Sequence, residues 1–405
     1  MDSYRKGTLA LISSCAAIFW PGAFIFGFPG VMAGHWQETF QVGRGAVGQS
    51  LFFVLLGVGM FMYLTGRLQE RVGPSRLFAL GTILCGASAV LVGHAPNMGF
   101  VYFCTLLFGI ASAFVYIPGL TVVQRWYPQR RGLVSGLVNM VFGLSAAVMS
   151  PIFTAMLKNM GTASMTLILG ILALITGLTA AGLVRMPDSP PPAFPPGKGA
   201  GPVQGLSLTV PESLRTRAFW FLWFTWALAG AAGIAMVTLS TSFGTAKGLP
   251  MQQAVAILIA FNLTNGLGRL ASGHLSDVLG RNITMTLAFG AAGCSYLLLD
   301  HVDGVVIWVV LSAFVGFAFG TLFAVSAPLA TDCFGMAHFG AVFGLVFTAY
   351  GFVSGPLGPW LGGYLLDATG GNFTVVFSYL GVFCLASAIL IWFVRPTGGV
   401  KSDES

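Results

Sequence analysis

The sequence predicts an all-α integral membrane protein in which twelve transmembrane helices form two parallel six-helix repeats. Three observations carry this prediction: the composition, a series of long apolar segments, and a loop motif that occurs once in each half. Of the 405 residues, 56% are hydrophobic and only 8% are charged, whereas soluble domains have roughly 25% charged residues. The mean hydropathy of +0.85 likewise indicates that most of the chain lies in lipid.

Apolar segments long enough to cross a bilayer occur throughout the chain. About 20 apolar residues span a hydrocarbon core of ~30 Å as an α-helix, which satisfies its own backbone hydrogen bonds there. Each such segment is predicted to be a transmembrane helix. The twelve segments are residues 8–34, 46–66, 76–94, 99–124, 132–157, 165–185, 218–244, 252–276, 282–300, 305–330, 338–366 and 373–395.

The distribution of basic residues predicts the orientation, because short cytoplasmic loops are enriched in Lys and Arg. With the N-terminus inside, fifteen of the nineteen Lys and Arg residues lie on the inner side, and only three lie in outer loops. Both termini are therefore predicted to face the cytoplasm. The predicted location is the plasma (inner) membrane. The net charge of +7 follows from this bias, so it indicates anionic lipid headgroups beside the inner loops and not nucleic acid.

A proline-rich segment separates the first six helices from the last six. Between residues 186 and 217 the chain has eight prolines among glycines and few aliphatic residues, a composition typical of an extended linker. We predict a cytoplasmic linker at 186–217, which divides an N-terminal bundle, residues 1–185, from a C-terminal bundle, residues 218–405.

The loop after the second helix recurs after the eighth. The two copies read Gly66-Arg67-Leu68-Gln69-Glu70-Arg71-Val72-Gly73-Pro74 and Gly273-His274-Leu275-Ser276-Asp277-Val278-Leu279-Gly280-Arg281. The matching positions are 207 residues apart, as Gly280 is from Gly73. Because this distance covers six helices, an even number, the matching helices of the two halves cross the membrane in the same direction. The halves are therefore predicted to be parallel repeats about an axis along the membrane normal, with a central pathway between them.

These loops resemble those of the major facilitator superfamily, whose loop after helix two has a glycine, an acidic residue, a glycine and arginines. The resemblance covers nearly the whole chain and implies that fold. It also implies an inner gate that includes Glu70, Arg71, Asp277 and Arg281, because an acid at a helix end can meet the positive N-terminus of a neighbouring helix. The first copy departs from the pattern, with Glu70 for aspartate and Pro74 for arginine. The alternative is a solvated loop that only sets topology.

Two further segments resemble a narrower group of proteins. The run Arg125-Trp126-Tyr127-Pro128-Gln129-Arg130-Arg131-Gly132-Leu133-Val134-Ser135-Gly136 is similar to a segment of the monocarboxylate transporters and the related oxalate:formate antiporters. Asn265-Gly266-Leu267-Gly268-Arg269 is similar to the segment in which both groups have a helix-eight arginine that binds a substrate carboxylate. The resemblance implies a carrier of small carboxylates, with Arg130 and Arg131 at the inner gate.

Arg269 is the only basic residue predicted within a membrane-spanning core. It precedes Asp277 by eight residues, which places it ~12 Å into the membrane by helical rise, on the same helix face as Asn262 and Asn265. All twelve acidic residues lie in loops, tails or helix ends, so no carboxylate of the chain is predicted to neutralise it. We interpret Arg269 as the residue that binds a substrate anion, because guanidinium offers a planar fork to a carboxylate. The alternative is a structural arginine bonded to carbonyl groups.

Six other positions complete the predicted binding site. By resemblance, Tyr350 takes the place of a helix-eleven lysine in the oxalate:formate antiporters. Arg269 is then the single cation of the site, which favours a substrate with a single carboxylate. Asn265 stands where monocarboxylate transporters often have aspartate, which leaves the proton route open. Tyr116, Phe319, Phe323 and Asn139 are the remaining candidates. The two phenylalanines would suit a methyl or short alkyl group. For the aromatic residues the alternative is packing, and for Asn139 it is a bridge between helices.

These features predict a secondary active transporter that carries small monocarboxylates such as lactate or pyruvate by alternating access. The resemblance implies proton symport, and we expect the protein to function as a monomer. Its predicted partners are a small carboxylate anion, a proton and the lipid bilayer. No enzyme activity, cofactor or metal site is predicted, because no nucleophile, metal cluster or phosphate loop is visible. Two alternatives remain open: an organic-anion exchanger of the oxalate:formate type, and a membrane sensor without transport.

Overall fold

The computed structural model describes residues 2–187 and 207–396, and for residues 2–4, 44–45 and 251–252 only the backbone is described. Most of the predicted linker, residues 188–206, therefore lies outside the described residues, as do residue 1 and residues 397–405. The described part is almost entirely helical, which confirms the predicted all-α class.

The helices follow one another with short connections. They are α1 (Asp2–Phe26), α2 (Phe28–Phe40), α3 (Arg44–Val72), α4 (Pro74–Val92), α5 (Met98–Trp126), α6 (Arg131–Leu183), α7 (Val210–Leu214), α8 (Arg217–Ala246), α9 (Met251–Leu279), α10 (Arg281–Leu299), α11 (Val305–Phe334), α12 (Phe339–Ala349), α13 (Leu361–Ala368) and α14 (Phe373–Trp392). Two π-helical turns, Tyr350–Ser354 and Pro356–Trp360, connect α12 to α13.

Eleven segments of the described chain are long and apolar enough to cross a membrane, and one of them contains two crossings. Helix α6 has 53 residues, which corresponds to ~80 Å of helix, far more than a hydrocarbon core of ~30 Å. Gly161 breaks it, with φ of 74°, a backbone conformation that glycine adopts readily. The predicted helices at 132–157 and 165–185 are the two parts of α6, which accounts for the predicted total of twelve.

The bundle has two ends, which we name by the linker. Helix α6 ends at Leu183 and α8 begins at Arg217, so both attachments of the linker lie at one end, the linker end, and the opposite end is the far end. Part of the predicted linker is helical. Helix α7 begins after Thr209, whose backbone N–H donates to the Glu212 carboxylate at 2.7 Å. Hydrogen bonds from Thr209 hold the pKa of Glu212 below its usual value.

Glycines bring the two halves into backbone contact at the linker end. In the crossing of α6 with α9, a Cβ atom added to Gly273 would lie 2.4 Å from the carbonyl oxygen of Gly132. In the crossing of α3 with α12, a Cβ atom on Gly66 would lie 1.9 Å from the carbonyl oxygen of Gly340. A residue with a side chain cannot approach so closely. The linker end is therefore closed.

Toward the far end the halves leave space between them. A cavity of about 1290 Å³ lies there. One side is lined by α2 and the first part of α3, including Ala33 and Leu55, and the other by α8 and the π-helical turns, including Ile234 and Pro359. The central region of the bundle thus lies between a closed end and a cavity.

Candidate functional site

The Arg269 side chain lies between the two halves and is only 1% exposed. Its Nε and Nη2 atoms donate to Oδ1 of Asn265, one helical turn away, at 3.3 and 3.2 Å. Its Nη1 atom donates to the backbone carbonyl of Asn139, on α6 of the other half, at 3.0 Å. A guanidinium has five N–H groups, so one on each terminal nitrogen has no partner among the described residues. These N–H groups are available to a ligand.

Asn139 links Arg269 to Tyr116. Its Oδ1 atom accepts a hydrogen bond from the Tyr116 hydroxyl at 2.8 Å, and its Nδ2 atom donates to the Ser135 carbonyl at 2.9 Å. Asn139 and Tyr116 are both fully buried. Asn139 and Tyr116, the two candidates predicted in the N-terminal half, therefore lie beside Arg269. Both polar atoms of the Asn139 amide are already hydrogen-bonded to protein groups. Asn139 orients the site in this conformation.

An aromatic wall of the C-terminal half covers Arg269. The guanidinium carbon lies 4.4 Å from the centroid of the Phe323 ring, a distance typical of a cation–π contact. Phe323 packs against Phe319, with ring centroids 5.3 Å apart, and against Tyr350, at 5.4 Å. The structure thus brings all the predicted aromatic candidates to one place. The Tyr350 hydroxyl makes no hydrogen bond within the described chain.

Two aromatic residues of this wall were missed by the sequence analysis. Trp226 on α8 lies 4.4 Å from Phe347 and 5.7 Å from Tyr350, measured between ring centroids. Phe347 lies 5.4 Å from Tyr116 and so connects the walls of the two halves. Hydropathy alone does not distinguish an aromatic residue of a binding site from one that only packs in the core. The position of Trp226, nine residues into α8, was the one signal that could have placed it near the middle of the membrane.

Glycines provide the room for these large side chains. A Cβ atom on Gly143 would lie 3.0 Å from Cζ of Arg269, and one on Gly233 would lie 2.0 Å from the Phe319 ring. The guanidinium therefore rests on the backbone of α6. At these two positions glycine shapes the site.

Among the described residues, no carboxylate pairs with the charge of Arg269. The ion pairs of the described residues lie at helix ends and in loops, and none includes Arg269. A buried cation that is hydrogen-bonded only to neutral oxygens favours an arriving anion. The arrangement can therefore bind one carboxylate against an apolar, aromatic wall.

At the linker end, Asp277 caps the start of α6. Its carboxylate accepts hydrogen bonds from the backbone N–H groups of Gly132 at 3.0 Å and Leu133 at 2.8 Å. It also pairs with Arg281 of its own half. The predicted contact between an acid and the N-terminus of a neighbouring helix is present here, where the helix dipole stabilises negative charge, and that helix belongs to the other half.

Asp332 joins the two halves at the linker end, and the sequence analysis missed it. It accepts hydrogen bonds from Arg131 of the N-terminal half and from Arg281 of the C-terminal half, both at 3.2 Å. Asp332 therefore joins the halves beside Asp277. The excess of arginines at this end could have indicated a second acid, but not which one.

The contact made by the first loop copy, which contains Glu70, is weaker. Glu70 pairs with His338 at 3.1 Å, and both side chains are 37% exposed. Arg71 and Arg130 are exposed, and within the described residues neither forms an ion pair. The structure does not bring these two predicted gate residues into the gate.

The chain is similar to known proteins in sequence and in fold. A family model described as Major Facilitator Superfamily matches residues 12–299 and, in a second match, 256–405. An oxalate:formate antiporter from Oxalobacter formigenes is 26% identical over 340 residues, which are 82% of this chain and 79% of the relative. A monocarboxylate transporter 13 from Rattus norvegicus is 28% identical over 328 residues, 80% of this chain and 74% of the relative. The solved structure of the E. coli fucose:proton symporter FucP has the same fold, with a TM-score of 0.72, 16% identity, and coverage of 96% of this chain and 98% of that one.

Proposed function

The chain belongs to the major facilitator superfamily and is a multi-pass membrane transporter, and from this premise we propose that it carries small monocarboxylates such as lactate or pyruvate together with a proton. The observation that carries the proposal is the buried Arg269 guanidinium, which has no carboxylate partner in the described part of the chain and retains N–H groups on both terminal nitrogens. A single cation matches the charge of a single carboxylate.

The surroundings of Arg269 support a small substrate. Phe319 and Phe323 are both buried and offer an apolar surface to a methyl or short alkyl group. Tyr350 offers a hydroxyl without a partner in the described chain. No acidic side chain lies in this wall. We therefore propose that the proton does not travel on an intramembrane carboxylate and that the protonated acid, or water held by Arg269, conveys it.

Alternating access is supported by the contrast between the two ends of the bundle. The linker end is closed by backbone contact between the halves, and a cavity separates the halves toward the far end. A carrier of this fold rocks one half against the other around a central site. The excess of basic residues in the inner segments supports a cytoplasmic linker end, with both termini inside the plasma (inner) membrane and the monomer as the working unit.

The gate contacts give a direct test of which copy holds the linker end closed. We expect Asp277→Asn to lower the uptake rate about tenfold, because it weakens a buried cap and leaves Arg281 with a single acidic partner. Glu70→Gln, which removes a half-exposed pair, should change the rate less than about twofold. Initial uptake rates in proteoliposomes measure both. Equal effects of the two variants would contradict this order.

An uptake panel tests the proposed function. Purified protein in liposomes is offered radiolabelled C1 to C5 mono- and dicarboxylates, with and without an inwardly directed proton gradient. We expect a C3 monocarboxylate to be taken up best and the gradient to raise its initial rate several-fold. Preference for dicarboxylates would contradict the single-cation argument.

The relative named as an oxalate:formate antiporter, which aligns over 82% of the chain, favours organic-anion exchange as the second candidate. Exchange predicts uptake that requires an internal anion and ignores the proton gradient. The same liposomes, loaded with anion or empty, separate the two mechanisms.

A further inference from the structure

Trp226 has a buried polar group that the fold does not use. Its side chain is fully buried, and its indole Nε1–H has no hydrogen-bond partner within the described chain. Five other tryptophans donate their indole N–H to an oxygen atom. These are Trp20, Trp126, Trp220, Trp223 and Trp308. A buried donor without an acceptor is destabilising, and it calls for a specific explanation.

The position of Trp226 points to a ligand. Its ring lies 5.1 Å from the Phe323 ring, whose centroid is 4.4 Å from the Arg269 guanidinium carbon. Its ring also lies 5.7 Å from that of Tyr350, whose hydroxyl likewise has no partner in the described chain. Two unused donors therefore lie in the wall that covers the proposed carboxylate site.

Trp226 and Arg269 pack against the same Phe323 ring, so a substrate bound at Arg269 would lie close to the part of the wall that contains Trp226. Arg269 would take the carboxylate, and an oxygen on the adjacent carbon would face the wall that contains Trp226. An unsubstituted acid such as propionate would leave the indole N–H without an acceptor, and a site that loses such a bond discriminates strongly.

We propose that the Trp226 indole N–H selects 2-oxo and 2-hydroxy monocarboxylates over unsubstituted acids of the same length. The inference rests on the proposed function, because it requires a carboxylate at Arg269. Trp226 is then a specificity-determining residue, and Tyr350 supports it from the π-helical turn of the same wall.

The first test uses the unmodified protein. In proteoliposomes, propionate, pyruvate and lactate compete for uptake of one labelled 2-oxo acid. We expect propionate to inhibit at least about tenfold more weakly than pyruvate. Equal inhibition by propionate and pyruvate would overturn the role of Trp226. If the protein takes up none of the three acids, the proposed function itself fails, so the two failures are distinguishable.

The second test is Trp226→Phe, which keeps an aromatic ring and removes the N–H group. We expect the ratio of pyruvate to propionate uptake efficiency to fall about tenfold, with propionate uptake nearly unchanged. Trp220→Phe, on the same helix but 43% exposed, is the matched control and should leave the ratio unchanged. An equal decrease for both acids, or no change in either, would mean that Trp226 acts only in packing and would overturn the proposal.

Discussion

Arg269→Lys is expected to reduce carboxylate uptake at least about 100-fold although it keeps the positive charge. The planar fork of arginine contacts Asn265 and the Asn139 carbonyl and leaves N–H groups for the proposed carboxylate, whereas an ammonium group on a shorter side chain cannot maintain this geometry. Losing charge-assisted hydrogen bonds worth ~3 kcal/mol corresponds to about two factors of ten in affinity.

The measurement is the uptake rate, in proteoliposomes with equal amounts of each variant, of the acid from the uptake panel that the unmodified protein transports fastest. Arg71→Lys is the matched control, because Arg71 is exposed and forms no ion pair within the described residues. Thermal unfolding in detergent shows whether Arg269→Lys remains folded. Uptake by Arg269→Lys at the unmodified rate would remove Arg269 from the binding site and leave it a structural role.

The core of the site could be predicted from the sequence because its signals are local or repeated. A charge in an apolar helix is costly in any fold of this class, and residues four apart share a helix face. The structure accordingly joins Arg269 and Asn265. The repeat is equally informative: Gln124 and Thr331, 207 positions apart, hydrogen-bond across the halves at 2.8 Å.

Residues whose roles depend on which helices meet could not be predicted. Asp332 pairs with Arg131, which comes from the other half, and Trp226 packs against the rings of Phe323 and Tyr350, which come from other elements. Neither relation follows from local pattern. The contacts of Glu70 and Asp277 could not be predicted from local sequence either. Both occupy matching positions of the repeat, yet Asp277 caps α6 and Glu70 pairs with His338, because the neighbours of each acid differ.

The unequal gate copies share one feature, the glycine crossings that bring the halves together. Gly66→Ala should therefore act on the conformational equilibrium. Its Cβ atom would lie 1.9 Å from the carbonyl oxygen of Gly340, and backbone cannot move aside as a flexible side chain can. Such overpacking costs ~1–3 kcal/mol. The cost arises only when the linker end is closed, so the population of the opposite state should rise about tenfold or more.

Labelling of a cysteine at the crossing measures this shift. Thr331 is buried and bonded to Gln124 of the other half, so Thr331→Cys in a cysteine-free background is protected while the linker end is closed. We expect Gly66→Ala to raise the labelling rate by a membrane-impermeant thiol reagent about tenfold and to lower uptake. Gly273→Ala, at the matching position of the repeat, should act in the same direction. Gly290→Ala, where an added Cβ meets nothing within 4 Å, should change neither quantity. Unchanged labelling in Gly66→Ala would show that these crossings do not separate during transport, because a contact present in both states cannot bias the equilibrium between them.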